Sequence, residues 1–316
     1  MKGFCFSDWM NMSRGSNLPT VWTNVLAAWG INAGAGPSLR WMPEWTNVDF
    51  FDGSTFACLI VGASLVYAGG CFLNDACDHQ FDSKNRPERP IPRGVLNLPQ
   101  AWTLGLIQLG MGTWILITGA GCAWYWAMAL MGCILTYDWL HKKTAYGIVL
   151  MGGCRTLLWI TAATAATGMS PAPLLYLWAI AVGLYVVGIS WFARTESFMK
   201  SSSEEGDTWV NRLPLLFLFA VPLLALAYLV LWNNLDPIRV FLVNVAGLLG
   251  GGIVFYAILT MRKKEKSAIG RGVSLLLAGI CVMDATLLAF HLPLLVGPCV
   301  LLGTIAYISQ KKFAAT

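Results

Sequence analysis

Charged residues are scarce in this chain of 316 residues: Asp, Glu, Lys and Arg together make up 12% of it. A soluble chain of this length carries about twice that share. Hydrophobic residues account for 57%, and the mean hydropathy is +0.62. These values exclude an ordinary soluble protein and predict a membrane protein with several spans.

Other features are missing as well. The nine cysteines include no CxxC pair, and the three histidines lack the spacing of metal ligands. Zinc and a disulfide framework are therefore disfavoured, and the cysteines are interpreted as small buried hydrophobic residues. The first 17 residues show no charged segment followed by an apolar core, so we expect no cleaved signal peptide. With no soluble domain, low-complexity tract or convincing repeat, positions 1–316 are predicted to form one domain.

Long apolar runs dominate the rest of the chain. A membrane-spanning helix needs about 20 apolar residues, and the predicted spans are 17–35, 55–73, 100–118, 121–139, 147–167, 173–193, 212–232, 238–260, 272–290 and 293–309. The last two meet in a tight turn, so one broken span with a re-entrant piece remains an alternative. The predicted fold class is an all-α polytopic membrane bundle of nine or ten helices.

The basic residues indicate an orientation. If the N-terminus is cytoplasmic, every Lys and Arg except Arg40, Arg155 and Arg239 falls in or beside a cytoplasmic segment. Cytoplasmic loops carry an excess of Lys and Arg. We therefore expect the N-terminus and the long loops 74–99, 194–211 and 261–271 to share the cytoplasmic face.

The second apolar run ends in Asn-Asp-Ala-Cys-Asp-His-Gln-Phe-Asp. Its Asp75, Asp78 and Asp82 are three and four residues apart, which on a helix puts all three on one face. Carboxylates at the end of a span are costly without a partner, and Mg²⁺ prefers oxygen ligands. Asn74 and the three aspartates are thus candidate Mg²⁺ ligands; the alternative is a solvated or capping group of acids.

A basic, proline-rich segment follows at 84–94, Lys-Asn-Arg-Pro-Glu-Arg-Pro-Ile-Pro-Arg-Gly. Its three prolines prevent a regular helix. Arginine offers a planar fork to phosphate oxygens, so Arg86 and Arg89 are candidate diphosphate contacts. The alternative is that these cations serve only the cytoplasmic charge bias.

Together, the two segments resemble the first Asp-rich signature of the UbiA-type intramembrane prenyltransferases, N-D-x-x-D-x-x-x-D with its R-P-x-R-P-x-P tail. The helix count and loop placement extend the resemblance over most of the chain. Asn24 matches an asparagine that lines the cavity from the family's first helix. Lys142, in Tyr-Asp-Trp-Leu-His-Lys, matches a stretch after the fourth helix and is a candidate diphosphate contact.

The resemblance implies a helical bundle around a lateral cavity and transfer of a prenyl group to a hydrophobic, often aromatic, acceptor. Mg²⁺, held by Asp75, Asp78 and Asp82 as catalytic ligands, would bind the diphosphate of an isoprenoid donor. Cations and Mg²⁺ would stabilise the leaving diphosphate, and an apolar cavity would shield the allylic cation. The implied partners are the isoprenoid diphosphate, the acceptor and the lipid bilayer, without nucleic acid. In a bacterium, the location would be the inner or plasma membrane.

The family's second motif, D-x-x-Y-A-x-x-D-x-x-x-D, is largely lost at 189–200. Glu196 replaces the middle aspartate and is a candidate metal ligand, while Ile189 and Lys200 replace the flanking ones. We predict that Arg194 and Lys200 act as fixed charges in place of a second Mg²⁺. This divergence is similar to a branch of the superfamily encoded in ebo-type gene clusters.

Two charged residues lie inside predicted spans. Arg155 is a candidate substrate contact or a snorkelling side chain, and Asp284 faces the cavity or a polar partner. Three functions remain open at this point: a Mg²⁺-dependent prenyltransferase, a non-catalytic relative that binds or moves a prenyl or aromatic lipid, and, least favoured, a secondary transporter.

Overall fold

The computed structural model describes residues 5–35, 51–141, 144, 146–166, 171–199, 212–231, 236–263, 265 and 267–312. Within these ranges the regular structure is entirely helical. The α-helices are α1 (Phe6–Met12), α2 (Leu18–Ala35), α3 (Gly53–Cys77), α4 (His79–Asn85), α5 (Leu98–Thr118), α6 (Trp124–Leu140), α7 (Gly147–Ala163), α8 (Pro173–Met199), α9 (Arg212–Leu218), α10 (Ala220–Leu231), α11 (Pro237–Met261), α12 (Ala268–His291) and α13 (Val296–Lys312). Short 3₁₀ turns precede α2 and α13.

The predicted apolar runs coincide with helices, and the all-α polytopic class is confirmed. Six helices in the described ranges are long and apolar enough to cross a membrane: α3, α5, α8, α11, α12 and the segment Pro293–Lys311. Two boundaries were predicted wrongly. The run 212–232 is broken at Phe219, since Pro222 has no N–H and clashes with the carbonyl four residues back. Helix α8 continues to Met199, so part of the expected loop 194–211 is helical.

Helix α3, which carries the acidic motif, is held by close packing on α5. Glycines lie at the crossing: a Cβ on Gly69 would come within 2.6 Å of the Leu109 nitrogen, and one on Gly112 within 2.6 Å of the Gly62 oxygen. Small residues let membrane helices approach to backbone contact. At its start, α3 is capped by Asp52, whose bonds from Thr55 and Ser54 lower the pKa of its carboxyl to about 2.

Helix α12 is the centre of the bundle. In its apolar window 83% of the residues are buried, against 28% for α11 and 22% for the last helix. It packs on α2, α8, α11 and α13. The outer helices expose large apolar side chains such as Trp114, Leu248 and Val230. This apolar exterior fits a lipid environment, because soluble monomers rarely expose such patches.

A small second core closes the end of the bundle that carries the acidic motif. Met12 from the N-terminal segment packs with Phe72 and Ala76 of α3 and with Ile91 of the proline-rich segment. The ion pair between Arg93 Nη2 and Asp8 Oδ1 (2.9 Å) joins the same two segments. The N-terminal segment is thereby fixed over the acidic motif.

Candidate active site

The acidic motif spans the junction of α3 and α4. Helix α3 ends at Cys77, but the backbone bonds Asp78 N–Asn74 O and Asp82 N–Asp78 O, both 2.9 Å, continue the helical pattern through the junction. Asp75, Asp78 and Asp82 are all buried, with at most 8% of each residue exposed. Buried carboxylates require partners, and the structure provides them from three other segments.

Arg89 of the proline-rich segment joins two of the aspartates. Its Nη1 lies 2.8 Å from Asp75 Oδ1 and 3.0 Å from Asp82 Oδ2. The Arg89 side chain is 16% exposed, so this ion pair is partly desolvated. The predicted site residues Asp75, Asp82 and Arg89 therefore converge. The contact recorded between Arg86 and these aspartates is a backbone one, in which the Arg86 N–H donates to the Asp82 carbonyl oxygen at 2.8 Å.

Arg14 reaches the motif from the N-terminal side, a contact that sequence reasoning missed. Its Nη2 donates to Asn74 Oδ1 (2.9 Å) and lies 3.6 Å from Asp75 Oδ1. Arg14 adopts a left-handed backbone conformation, φ 46° and ψ 46°, which is uncommon outside glycine. Strained backbone of this kind is enriched at functional sites. The only feature of the sequence that pointed to this role of Arg14 is its position, as a cation close to the first span.

Helix α6 supplies a third group of partners. His141 Nε2 lies 3.2 Å from Asp78 Oδ1 and 3.5 Å from Asn74 Nδ2. Asn74 Nδ2 also donates to Asp138 Oδ1 at 3.3 Å. Asp138 and His141 were not predicted as site residues, although both lie in the Tyr137–Lys142 stretch that resembles the family. Lys142 itself lies outside the described residues.

A separate polar network lies deeper in the bundle. Asn24 Nδ2 donates to both Asp284 oxygens, at 2.8 and 2.6 Å, and Arg155 Nη1 donates to Asn24 Oδ1 at 2.9 Å. Arg155 also donates to Thr20. The structure thus brings together the predicted residues Asn24 and Arg155, with Asp284 as the polar partner of Asn24. None of these three residues is seen in contact with the acidic motif.

The remaining candidates lie around the end of α8. Arg194 Nη1 donates to the Thr144 carbonyl oxygen at 2.9 Å, which ties α8 to the loop after α6. Glu196 is on α8, but its side chain lies outside the described residues, as does Lys200. The predicted replacement of a second metal by Arg194 and Lys200 therefore stays a prediction.

The acidic motif has the ligand chemistry that a hard divalent cation requires. Arg89 Nη1 lies within hydrogen-bonding distance of one oxygen of Asp75 and one oxygen of Asp82. The two carboxylates can therefore face a single positive charge. Carboxylate and amide oxygens are the ligands that Mg²⁺ prefers. Among the described residues, no group of three or more His, Cys, Asp or Glu side chains is yet arranged to hold a metal.

The fold and this charged end define a helical membrane protein in which buried carboxylates and arginines meet at one end of an apolar helix. The model of the UbiA prenyltransferase family matches residues 24–271. The chain belongs to that family, and the predicted superfamily membership is confirmed. Membership of the ebo-type branch stays a prediction.

Relatives and solved structures agree with this assignment. The chain is 28% identical over 180 residues to 4-hydroxybenzoate octaprenyltransferase of Pseudomonas fluorescens Pf0-1, covering 56% of this chain and 55% of that protein. It is 30% identical over 194 residues to the protein of the same name from Stutzerimonas stutzeri A1501, covering 60% and 56%. The chain therefore spans about half the length of the curated relatives it matches.

A solved apo structure of a UbiA homologue from Aeropyrum pernix K1 matches with a TM-score of 0.60 at 16% identity, covering 86% of this chain and 95% of that one. A structure from work on digeranylgeranylglyceryl phosphate synthase matches with a TM-score of 0.57 at 18% identity, covering 93% and 98%. At such identities the likeness concerns the fold alone.

Proposed function

We propose that this protein transfers a prenyl group from an isoprenoid diphosphate to a hydrophobic, aromatic acceptor within the membrane, with Mg²⁺ as cofactor. The observation that carries the proposal is the convergence of Asp75 and Asp82 on one cation, Arg89 Nη1, at the end of an apolar helix. Family membership and relatives named 4-hydroxybenzoate octaprenyltransferase support the reaction class.

The residues of the acidic end have different proposed roles. Asp75, Asp78, Asp82 and the Asn74 amide would hold Mg²⁺, which when bound supplies positive charge to the diphosphate oxygens. Arg89 and Arg14, already in this cluster, would contact the diphosphate, and negative charge that develops on the leaving group strengthens those contacts. The apolar helices exclude water, which protects the allylic cation that departure of diphosphate creates.

Arg86 and Lys142 are proposed as further diphosphate contacts, and Asn24 and Arg155 as contacts deeper in the bundle. Glu196 is proposed to complete the metal-binding set from α8. The lateral cavity remains part of the proposal, as does a cytoplasmic N-terminus and acidic end, which the distribution of Lys and Arg supports.

The test is a turnover assay on purified protein in detergent. We expect radiolabelled geranylgeranyl diphosphate, Mg²⁺ and 4-hydroxybenzoate as a trial acceptor to give diphosphate release that EDTA abolishes. Asp82→Asn removes a charge that contacts Arg89, and we expect release to fall about a hundredfold. Asp52→Asn is the matched control, since Asp52 is exposed, caps the opposite end of α3 and can be replaced by asparagine, which caps equally well.

A second function is favoured by one observation: the segment 189–200 lacks the family's second set of aspartates. A non-catalytic relative would bind the prenyl diphosphate or an aromatic lipid and present it without reaction. Donor binding without release, with a range of acceptors, would establish this function and contradict the enzyme.

A further inference from the structure

Two of the nine cysteines face each other where α6 packs on α7. All nine are free thiols, and the Sγ atoms of Cys133 on α6 and Cys154 on α7 lie 3.6 Å apart. The two residues are 21 positions apart along the chain, so they form no CxxC pair and their spacing does not indicate the contact. Packing of the two helices brings the thiols together.

Hydrogen bonds give the two thiols different roles. Cys133 Sγ donates to the Leu150 carbonyl oxygen at 3.6 Å, and a carbonyl oxygen can only accept. The contact between the sulfurs is therefore the Cys154 S–H donating to Cys133 Sγ. This bond stabilises a thiolate on Cys133, because a hydrogen bond to an ionised group is stronger than one to a neutral group. The thiolate is the reactive form of cysteine, so Cys133 is the nucleophile of the pair.

The surroundings leave the pair accessible. Both cysteines are half-buried. Gly153 lies beside Cys154, and a Cβ there would come 3.4 Å from Cys133 Sγ, so glycine keeps this side of the thiol clear. Gly132, beside Cys133, is exposed, and among the described residues nothing lies within 4 Å of the position that its Cβ would take. A small oxidant can therefore reach these sulfurs from outside the bundle.

The sulfurs are close enough to bond. A disulfide bond is about 2.05 Å long, so the two atoms have to approach each other by about 1.5 Å. Each sulfur is the terminal atom of a short side chain, and rotation about χ1 moves it by that amount. The bond can thus form across the contact that α6 and α7 already make.

We propose that Cys133 and Cys154 form a reversible disulfide between α6 and α7, with hydrogen peroxide as the oxidant. The Cys133 sulfur attacks a peroxide oxygen, the O–O bond breaks, and a sulfenic acid and one water form, the thiol proton going to the water. The Cys154 sulfur then attacks the sulfenic sulfur. The S–S bond forms, the S–O bond breaks, and the hydroxide leaves as a second water with the Cys154 thiol proton. Two thiols thereby lose two electrons to one peroxide, and a dithiol reductant reverses the reaction.

The bond would join two helices that carry different parts of the polar interior. Helix α6 leads to the acidic motif, where His141 lies 3.2 Å from Asp78 Oδ1. Helix α7 carries Arg155, the neighbour of Cys154, which donates to Asn24 in the deeper network. The disulfide therefore fixes the acidic end relative to the deeper network. The inference does not depend on prenyl transfer and holds equally for a non-catalytic relative.

The experiment uses the full reduced chain in detergent, with hydrogen peroxide as the probe. Remaining thiols are blocked with N-ethylmaleimide, the monomer is isolated, and a digest with trypsin and chymotrypsin is analysed by mass spectrometry without reductant. Lys142 provides a cleavage site between the two cysteines, and Tyr125 one between Cys122 and Cys133. We expect a linked peptide pair that joins Cys133 to Cys154 and disappears with dithiothreitol. Because the thiols are already in contact, this pair should be at least about tenfold more abundant than any other linked pair.

Three serine variants locate the bond. Cys133→Ser removes the attacking sulfur and Cys154→Ser the resolving one, so each abolishes the linked pair. In Cys154→Ser the sulfenic acid on Cys133 persists, and we expect dimedone to label it. Cys58→Ser is the matched control, since Cys58 is a half-buried thiol on α3, and the linked pair survives in this variant.

The unaltered protein alone can overturn the proposal. Recovery of Cys133 and Cys154 as maleimide adducts, at a peroxide concentration that oxidises the exposed Cys5, would contradict it. Linkage of either residue mainly to a different cysteine would do the same. Neither result needs a variant, so misfolding of a variant leaves the proposal falsifiable. The turnover assay measures diphosphate release, so its failure would leave the disulfide standing.

Discussion

The acidic end and the deeper polar network both combine carboxylates with arginine, but they are built differently. At the acidic end, Arg89 contacts Asp75 and Asp82 directly and remains partly exposed. In the deeper network, the Asn24 amide separates Asp284 from Arg155, and Asp284 and Asn24 are fully buried.

The difference concerns exchange of partners. A partly exposed arginine that bridges two carboxylates can be replaced by another cation, and a ligand can reach it. The carboxylate of Asp284 is fully buried, and both of its oxygens accept from the Asn24 amide. Another cation or a ligand cannot reach it from solvent, and its contacts fix the orientation of Asn24. We therefore infer that the acidic end exchanges cations, whereas the deeper network orients helices and the Arg155 side chain.

The largest effect is expected for Arg89→Ala. The variant leaves two buried carboxylates facing each other, so we expect a loss of about 3 kcal/mol or more in the free energy of unfolding. Because Mg²⁺ can take the vacated position, it should raise the melting temperature of the variant more than that of the unaltered protein. Thermal unfolding with and without Mg²⁺ measures both effects. Equal stabilisation of the two proteins by Mg²⁺ would contradict cation exchange at this end.

The deeper network is tested by Arg155→Gln. Removing one charge leaves Asp284 without its nearby cation, so we expect a loss of about 3 kcal/mol that Mg²⁺ does not restore. The double variant Arg155→Gln/Asp284→Asn removes both charges and should recover most of that stability. Thermal unfolding of the two single variants and the double variant forms a double-mutant cycle. Additive losses would show that the two charges do not interact through Asn24.

Much of the fold could be predicted because lipid imposes simple rules. Every spanning helix needs a long apolar run, so hydropathy located nearly all the helices. The break at Phe219 was missed, although Pro222 was its local signal. The burial of α12 at the centre could not be predicted, since runs of apolar residues look alike whether they face lipid or other helices.

The candidate site, like the fold, could be predicted only in part. The Asp75–Asp78–Asp82 spacing predicted a shared face because a helix relates residues three and four apart. Arg14, Asp138 and His141 reach Asn74 and Asp78 from positions 60 or more residues away along the chain. Such contacts depend on how the N-terminal segment, α3 and α6 pack together, which residue spacing in the sequence does not reveal.

A smaller effect is expected for Arg194→Ala. Arg194 holds the Thr144 carbonyl, and we predict that its charge replaces part of a second metal site. Loss of one charged hydrogen bond from Arg194 to the donor diphosphate, about 1.5–3 kcal/mol, weakens donor binding about tenfold or more. A filter-binding assay with radiolabelled geranylgeranyl diphosphate measures this, with Arg271→Ala, an exposed arginine paired with Glu265, as the control. Unchanged donor affinity in Arg194→Ala would remove Arg194 from the site.

The smallest effect is expected where the N-terminal segment meets the proline-rich segment. Arg93 is 46% exposed, and its buried partner Asp8 also accepts from the Cys5 backbone N–H and thiol, so Asp8 keeps partners when Arg93 is removed. Solvent-screened ion pairs contribute about 0–1 kcal/mol. Arg93→Ala should therefore change the melting temperature little and leave donor binding nearly intact, because Met12 and Ile91 still pack in the second core. A loss of stability comparable to that of Arg89→Ala would show that the acidic end depends on this outer pair, and that its boundary lies further from Asp75 than the direct contacts indicate.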